Sequence, residues 1–458
     1  MDRSSIIRAF SKAVNRKHGC TMGLARNIAS VDIPRLDTGS LSFNVALGGG
    51  IPVGRLTMFR GKYSSGKTTE ALRVAANAQD LCANCLRPVD DFAVIESGVD
   101  DETGEVIYEA IGTCDCYSEG LFKPVPYPEE YSDRMKGTFK QIEIEVMDEK
   151  SGKMKKKKTT LYKERLKRYE ENSYEPYRIV FFDFEGTLDL EWAERIGVDT
   201  RILLVDRPGT AEEGIDVYDE LLRTGAVDLF LLDSIAAMTP SVEIEKSTED
   251  GRTRAAQAIL VNQFVRKITA SANDCKKFYD RSVTQIWINQ ERDSMDPFNP
   301  KTMPGGHGQE FGASVIVSFW PSKWNSDAMD DDVKKDFQIQ IGKEVRQNFK
   351  VEKSKVSTPK ATGMFVMCIS GAESGQIDEF KYVLDQGERY GLWHEEGKAP
   401  KKKWYLSDEE FTKKASLLAR VREPEVFKSM KKELLRRMLE KIKGTAEGIE
   451  REAENAEG

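Results

Sequence analysis

An α/β fold on a parallel sheet is what this sequence predicts, on three observations. Short apolar runs that read as strands alternate with helix-length amphipathic segments. The spacing between those strands is that of βα crossovers rather than of hairpins. A glycine-rich loop joins the first clear strand directly to a helix.

Along the chain, Ile6, Ile7, Phe10 and Val14 recur at helical spacing among basic residues, so the N-terminus reads as an amphipathic helix that docks elsewhere. The run Arg55-Leu56-Thr57-Met58-Phe59-Arg60 follows Gly48-Gly49-Gly50 and reads as the first strand. Further buried strands are expected over 178–184, 201–205, 227–232, 283–289 and 314–319, with helices over 211–223 and 254–270 between them. Segments 337–351 and 363–369 alternate in the manner of antiparallel strands, and a small α/β region follows. There Phe427, Met430, Leu434, Met438 and Ile442 line one face of a late helix. From Gly444 the chain is Glu-rich with few large apolar groups, and a disordered tail is expected.

At about 150 residues per domain, 458 residues make two or three domains. The formal charge of −7 (69 Lys+Arg against 76 Asp+Glu) excludes a wholesale basic coat but leaves room for local basic surfaces. No apolar run approaches the ~18 residues of a membrane span, and the polar start Met1-Asp2-Arg3-Ser4-Ser5 lacks a signal peptide's apolar core. Cytoplasmic placement is the expectation, and in that compartment the cysteines at positions 20, 82, 85, 114, 116, 275 and 368 stay reduced.

The chemistry-bearing motif is Gly61-Lys62-Tyr63-Ser64-Ser65-Gly66-Lys67-Thr68-Thr69, which fits G-x4-G-K-[ST] between a strand and a helix. Small residues let backbone N–H groups face phosphates, Lys67 suits the β/γ oxygens, and Thr68 suits Mg²⁺. ATP with Mg²⁺ is the expected ligand. The run Leu229-Phe230-Leu231-Leu232-Asp233-Ser234 ends a strand in a second Mg²⁺ acid, Asp233. Glu185 ends Ile179-Val180-Phe181-Phe182-Asp183-Phe184-Glu185 as the candidate general base. Gln290 ends Ile286-Trp287-Ile288-Asn289-Gln290 as a sensor of the γ-phosphate.

In this order the motifs resemble those of the RecA family of homologous recombinases. The resemblance rests on Thr38-Gly39-Ser40-Leu41-Ser42, Ala46-Leu47-Gly48-Gly49-Gly50, the phosphate loop, Ala226-Val227-Asp228 leading into Asp233-Ser234-Ile235-Ala236-Ala237-Met238-Thr239-Pro240, and Ile288-Asn289-Gln290. It covers about residues 1–81 and 176–400. It implies a RecA-type P-loop ATPase core over 35–81 and 176–375, with a polymerising N-terminal helix over 1–34. A C-terminal α/β domain over 376–443 and an acidic tail over 444–458 complete the expected layout.

By the same resemblance Asp189 and Trp192 contact adenine, and Lys353 and Lys355 reach the nucleotide of the neighbouring subunit. Phe311 is buried in the adjacent protomer. Two DNA-binding loops correspond to about 243–257, with Arg252 and Arg254, and 291–306, with Arg292, Met295, Phe298 and Lys301. Glu291, Asp293, Asp296, His307 and Glu310 depart from the family's pattern there. The implied function is a DNA-dependent ATPase that forms a filament on single-stranded DNA and exchanges strands with a homologous duplex. The rivals are a hexameric translocase or helicase and an ATP-switched adaptor. The sizeable insertion and altered loops suggest a phage-encoded member.

Residues 82–175 do not fit a single crossover and form an insertion. Residues 90–149 hold seventeen acidic and four basic side chains, whereas 151–168 hold nine basic and one acidic. The basic run reads either as an arm that tracks DNA or as a solvated charged hairpin. Cys82-Ala83-Asn84-Cys85 and Cys114-Asp115-Cys116 supply two close thiol pairs. They read either as a four-cysteine structural zinc ribbon or as ordinary reduced thiols. A replication or repair partner is expected to dock on the insertion.

Overall fold

The computed structural model describes residues 33–116, 119, 141–147, 154–160, 174–244, 254–293, 301–321, 344–357, 360–371, 373–398 and 401–457. Most of the expected N-terminal helix lies outside them, as do Arg252, Met295, Phe298 and much of the basic run.

In chain order the elements are α1 (Leu41–Ala46), β1 (Leu56–Gly61), α2 (Lys67–Ala76), β2 (Asp90–Val99), β3 (Val106–Thr113), β4 (Gln141–Met147) and β5 (Met154–Thr160). Then come β6 (Ile179–Asp183), α3 (Leu190–Ile196), β7 (Leu204–Asp206), α4 (Ala211–Thr224), β8 (Leu229–Asp233), α5 (Arg254–Tyr279) and β9 (Thr284–Gln290). The short strands β10 (Arg292–Asp293) and β11 (Lys301–Thr302) precede α6 (Gly308–Gly312) and β12 (Val315–Pro321). The chain ends with β13 (Glu344–Ser354), β14 (Thr362–Cys368), α7 (Phe380–Arg389), β15 (Trp393–Glu396), β16 (Lys403–Leu406), β17 (Glu409–Phe411), α8 (Lys414–Val421) and α9 (Pro424–Glu457).

Two compact units result, one of Met1–Arg35, Pro52–Tyr63 and Ala75–Ile316, the other of Leu36–Ile51, Ser64–Val74 and Val317–Gly458. The first contains five parallel strands in the order β1-β9-β8-β6-β7. Every residue of β6 and β8 is buried, as expected where helices cover both faces of a parallel sheet. Helix α4 packs there because Ala211, Ile215, Tyr218 and Leu222 fall on one stripe. Its ends are fixed locally: Thr210 accepts from the Glu213 N–H, and Gly225 takes the left-handed cap at φ 68°.

Tyr218 sits among Phe182, Phe230, Phe264 and Trp287, with its hydroxyl donating to Gln285 at 2.8 Å and accepting from Trp287 Nε1 at 3.1 Å. A buried ring with its polar tip satisfied is the arrangement that makes a tyrosine tolerable in a core.

The expected antiparallel pair is β13 and β14 of the second unit, in register from Glu344↔Cys368 to Lys350↔Thr362. Phe43, Phe319, Phe349 and Phe365 pack together beneath it. A separate cluster of Leu41, Val383, Trp393, Leu406, Leu417, Val421, Met430 and Leu434 organises the C-terminal helices and the sheet β15-β16-β17. On α9, Met430, Leu434 and Met438 are buried as their spacing predicts, while Ile442 stays 39% exposed. The expected disordered tail is corrected: the helix runs on to Glu457, because the Ala, Glu and Arg of that stretch are strong helix formers.

The insertion contains two hairpins, β2 with β3 and β4 with β5. In the second, the register sets Glu143 opposite Lys158 and Glu145 opposite Lys156. Among the described residues no helix is long and apolar enough to cross a membrane.

Candidate nucleotide site and strand-end carboxylates

Strand β1 leads straight into the phosphate loop. Gly61 has φ 152°, Ser64 φ 53° and Gly66 φ 76°, so the chain turns through left-handed positions that bring successive N–H groups to one side. At Gly66 the positive φ is what calls for glycine, and a Cβ there would also push aside the Gln347 amide, 2.5 Å away. The Gly66 carbonyl then accepts the Glu70 N–H at 2.9 Å as α2 begins. Lys67 is 6% exposed, and its Nζ donates to the Ser65 hydroxyl at 3.3 Å. Thr68 and Thr69 follow in the first turn.

Glu70 is buried beside Arg73, with Nε to Oε2 at 3.5 Å. Burial raises its carboxyl pKa to about 7 despite the guanidinium. Arg73 in turn donates to the Gly375 carbonyl at 2.9 Å.

The parallel register places the ends of four strands along one edge of the first unit's sheet. Gln290 pairs with Gly61, where the phosphate loop begins, and Asp233 pairs with Asp183. The Asp233 carbonyl accepts the Phe184 N–H at 2.8 Å, and Asp233 itself is 4% exposed. Beyond β6 the Asp183 carboxylate accepts the N–H groups of Thr187 and Leu188, both at 3.1 Å, and Arg207 Nε at 3.1 Å. That turn presents Glu185. Its Oε1 accepts Gln290 Nε2 at 2.6 Å and the Ser234 hydroxyl at 2.5 Å. Both bonds fall on the same oxygen, which fixes the carboxylate plane and leaves Oε2 outside them. The Asp233 carboxylate at this edge is an oxygen donor of the kind Mg²⁺ takes.

Two polar side chains tie the flanking loops to this edge. Gln257, near the start of α5, donates through Nε2 to the carbonyls of Ile235, Ala236 and Met238 at 3.1, 3.4 and 3.0 Å. Asn289 donates to the Pro304 carbonyl at 3.0 Å and to Gln309 Oε1 at 2.8 Å. The loop over 291–306 thus leaves from β9 and returns to the residue beside Gln290, and its base is the β10–β11 pairing of Arg292 with Thr302 and Asp293 with Lys301.

A family model described as the RecA N-terminal domain matches residues 5–96 and 139–371, more than half of the chain. The chain belongs to the RecA family. It is 38% identical over 217 residues to Protein RecA of Corynebacterium diphtheriae, covering 46% of this chain and 54% of that one. For Protein RecA of Corynebacterium efficiens the figures are 34% over 217 residues, 46% and 52%. Protein RecA of Rickettsia bellii is matched at 27% over 403 residues, 86% of this chain and 84% of the relative. The chain spans about half the length of the corynebacterial relatives it matches, and both the insertion and the low identities mark it as a divergent member.

The other positions singled out in the sequence fall as follows. Asp189 is the N-cap of α3 and accepts the Trp192 N–H at 3.0 Å, while the Trp192 side chain is half-buried. The sequence carried that cap signal in Asp189-Leu190-Glu191-Trp192. Lys353 is half-buried near the end of β13, and Lys355 is exposed just beyond it. Arg254 opens α5, Arg292 is exposed on β10, and Lys301 begins β11. Phe311 is 77% exposed on α6. Next to it Glu310 pairs with Arg60 at 3.2 Å, and Arg60 also lies 3.7 Å from Glu291. Sequence reasoning gave no role to Ser234, Gln257 or Gln309, whose partners are remote in sequence.

Proposed function

We propose that this protein is a DNA-dependent ATPase that polymerises as a helical filament on single-stranded DNA and catalyses pairing and strand exchange with a homologous duplex. Its place of action is the cytoplasm of a bacterium or of a phage-infected cell. The observation that carries the reading is the convergence of Gln290 and Ser234 on one oxygen of Glu185, at the sheet edge where the phosphate loop begins. The relatives named Protein RecA support it.

Lys67 and the N–H groups of Ser64, Ser65, Gly66 and Thr69 bind the phosphates. Bound Mg²⁺ would rest on Thr68 and, through water, on Asp233, and would supply neutralising charge to the phosphates. Glu185, held through Oε1, uses Oε2 to orient a water and accept its proton. When the γ-phosphate draws Gln290 away from Glu185, Asn289 and its bonds to Pro304 and Gln309 pass the shift to the loop over 291–306. Asp189 and Trp192 border the adenine. Lys353 and Lys355 complete the site of the neighbouring subunit, and Phe311 buries itself there. Arg252, Arg254, Arg292 and Lys301 meet DNA phosphates, and Met295 and Phe298 wedge between bases.

Joint-molecule formation between circular single strands and homologous linear duplex, with filaments imaged in the same samples, tests this reading. ATP-dependent joint molecules and helical filaments are expected. Rings without joint molecules would mean a translocase, and nucleotide binding without assembly would mean an adaptor; no observation favours either.

A further inference from the structure

At the opposite edge of the same sheet the insertion leaves and re-enters the first unit through a narrow neck. Its outgoing strand turns at Cys82-Ala83-Asn84-Cys85, and β3 ends just before Cys114 and Cys116. The return is clamped to the outgoing strand by the Cys82↔Pro176 bridge, by Ala83 N–H to Glu175 O at 2.8 Å and by Tyr177 N–H to Leu81 O at 3.1 Å. The only apolar cluster at this neck joins Cys82, Val89, Cys116 and Tyr174, with Cys85, Phe92 and Cys114 against it, among the described residues. That is little core to hold a two-stranded hairpin, which in water is marginal alone.

The four sulfurs make up the difference. Cys82 Sγ lies 3.5 Å from Cys116 Sγ, Cys85 Sγ lies 3.4 Å from Cys114 Sγ, and all four lie within 4.8 Å of one another. A disulfide brings its sulfurs to about 2.05 Å, so neither pair is bonded. A zinc ion with bonds of about 2.3 Å to four thiolates sets its sulfurs about 3.8 Å apart, which falls between the 3.4–3.5 Å of the two close pairs and the 4.8 Å that bounds the whole cluster. The turn is built for such a ligand. Cys82 N–H donates to Arg87 O at 3.0 Å, Leu86 N–H donates back to Cys82 O at 2.8 Å, and Leu86 holds φ 60°, a left-handed value that a leucine adopts only under constraint. Outside the thiols, Arg87 Nε donates to Cys85 Sγ at 3.5 Å while its other nitrogens fork onto Glu119 at 2.6 and 3.2 Å. A cation hydrogen-bonded to a sulfur offsets the charge of a four-thiolate site and orients the ligand.

We propose that Cys82, Cys85, Cys114 and Cys116 bind one structural zinc ion, which staples both strands of the insertion's first hairpin to the neck. On binding, the thiols give up their protons to solvent and four zinc–sulfur bonds form, with no change of oxidation state. With four protein ligands the ion has no open position, so its role is to hold the neck rather than to do chemistry.

The test uses the full chain, expressed with zinc in the medium and purified under reducing, chelator-free conditions, with zinc read by elemental mass spectrometry. One zinc per chain is expected for the wild type and for Cys368→Ser, and almost none for Cys85→Ser. Should that variant fold poorly, cobalt substitution of the wild type decides: tetrahedral cobalt–thiolate absorption supports the site. A wild type without zinc, zinc retained in Cys85→Ser, or peptide mapping that finds Cys82 joined to Cys116 and Cys85 to Cys114 as disulfides would each overturn it. None of these readouts involves ATP, so they stand or fall separately from the proposed function.

Discussion

At its C-terminal end β6 hands the chain to Asp183 and Glu185; at its N-terminal end it receives the insertion through Tyr174, Glu175 and Tyr177. The two ends are about 17 Å apart at ~3.3 Å per residue, and they are ordered by different means. The C-terminal end rests on a large apolar core and needs only short polar links, Ser234 and Gln290 to Glu185, to set its geometry. The N-terminal end has a small cluster, four thiols, and the buried ion pairs of Arg281 with Asp228 at 2.7 Å and Glu175 at 2.9 Å. Burial raises the Asp228 carboxyl while Arg281 pulls it back down, so that charge is tolerable only as part of the pair. The strand-end edge can thus keep its geometry while the other edge of the sheet accepts an insertion that carries its own small cluster.

Several substitutions sharpen or break this contrast. Lys67→Ala, on the catalytic side, is expected to lower ATP turnover by about 10²–10³-fold, and wild-type turnover would remove the site. Glu70, in the helix that follows the phosphate loop, makes that helix sensitive to pH. Its carboxyl rises from 4.5 unfolded to about 7 folded, so its stabilising contribution is whole below pH 4.5 and is lost as the pH climbs through 7. Between pH 5 and pH 8 the wild type should lose on the order of 3 kcal/mol relative to Glu70→Gln; parallel denaturation midpoints for the two proteins would contradict this.

Ser234→Ala removes one of the two bonds to Glu185 Oε1, each a hydrogen bond to a charged group, and should lower kcat roughly tenfold with KM for ATP little changed. An unaltered kcat would show that Gln290 alone orients the carboxylate. The smallest effect belongs to the neck. Tyr177→Phe deletes the contact of its hydroxyl with Thr284 Oγ1 at 3.4 Å, which should cost about 1 kcal/mol of stability and leave ATP turnover within about twofold. A large loss of turnover would mean that the two edges are coupled.

The strand ends of the parallel sheet and the loop that opens α2 were largely legible in the sequence because their signals are local. A phosphate-loop pattern, continuous apolar runs such as 229–232 and a polar residue at each strand end need no knowledge of partners. What the sequence left hidden depends on partners far along the chain. Ser234 meets Glu185 across 49 positions and Asn289 meets Gln309 across 20. The β2–β3 hairpin was obscured because its acidic residues break the apolar alternation that marks a strand, and β4–β5 because its second strand is Met-Lys-Lys-Lys-Lys-Thr-Thr. The helical continuation of α9 was missed because a charge-rich, apolar-poor composition suits both a disordered tail and a solvated helix, and only propensity separates them.

The measurement that tests the central claim most directly is steady-state ATP hydrolysis by the full chain with and without single-stranded DNA. The account predicts a clear rise in turnover on adding DNA, lost in Glu185→Gln. Slow hydrolysis that ignores DNA, or turnover that survives that substitution, would contradict it.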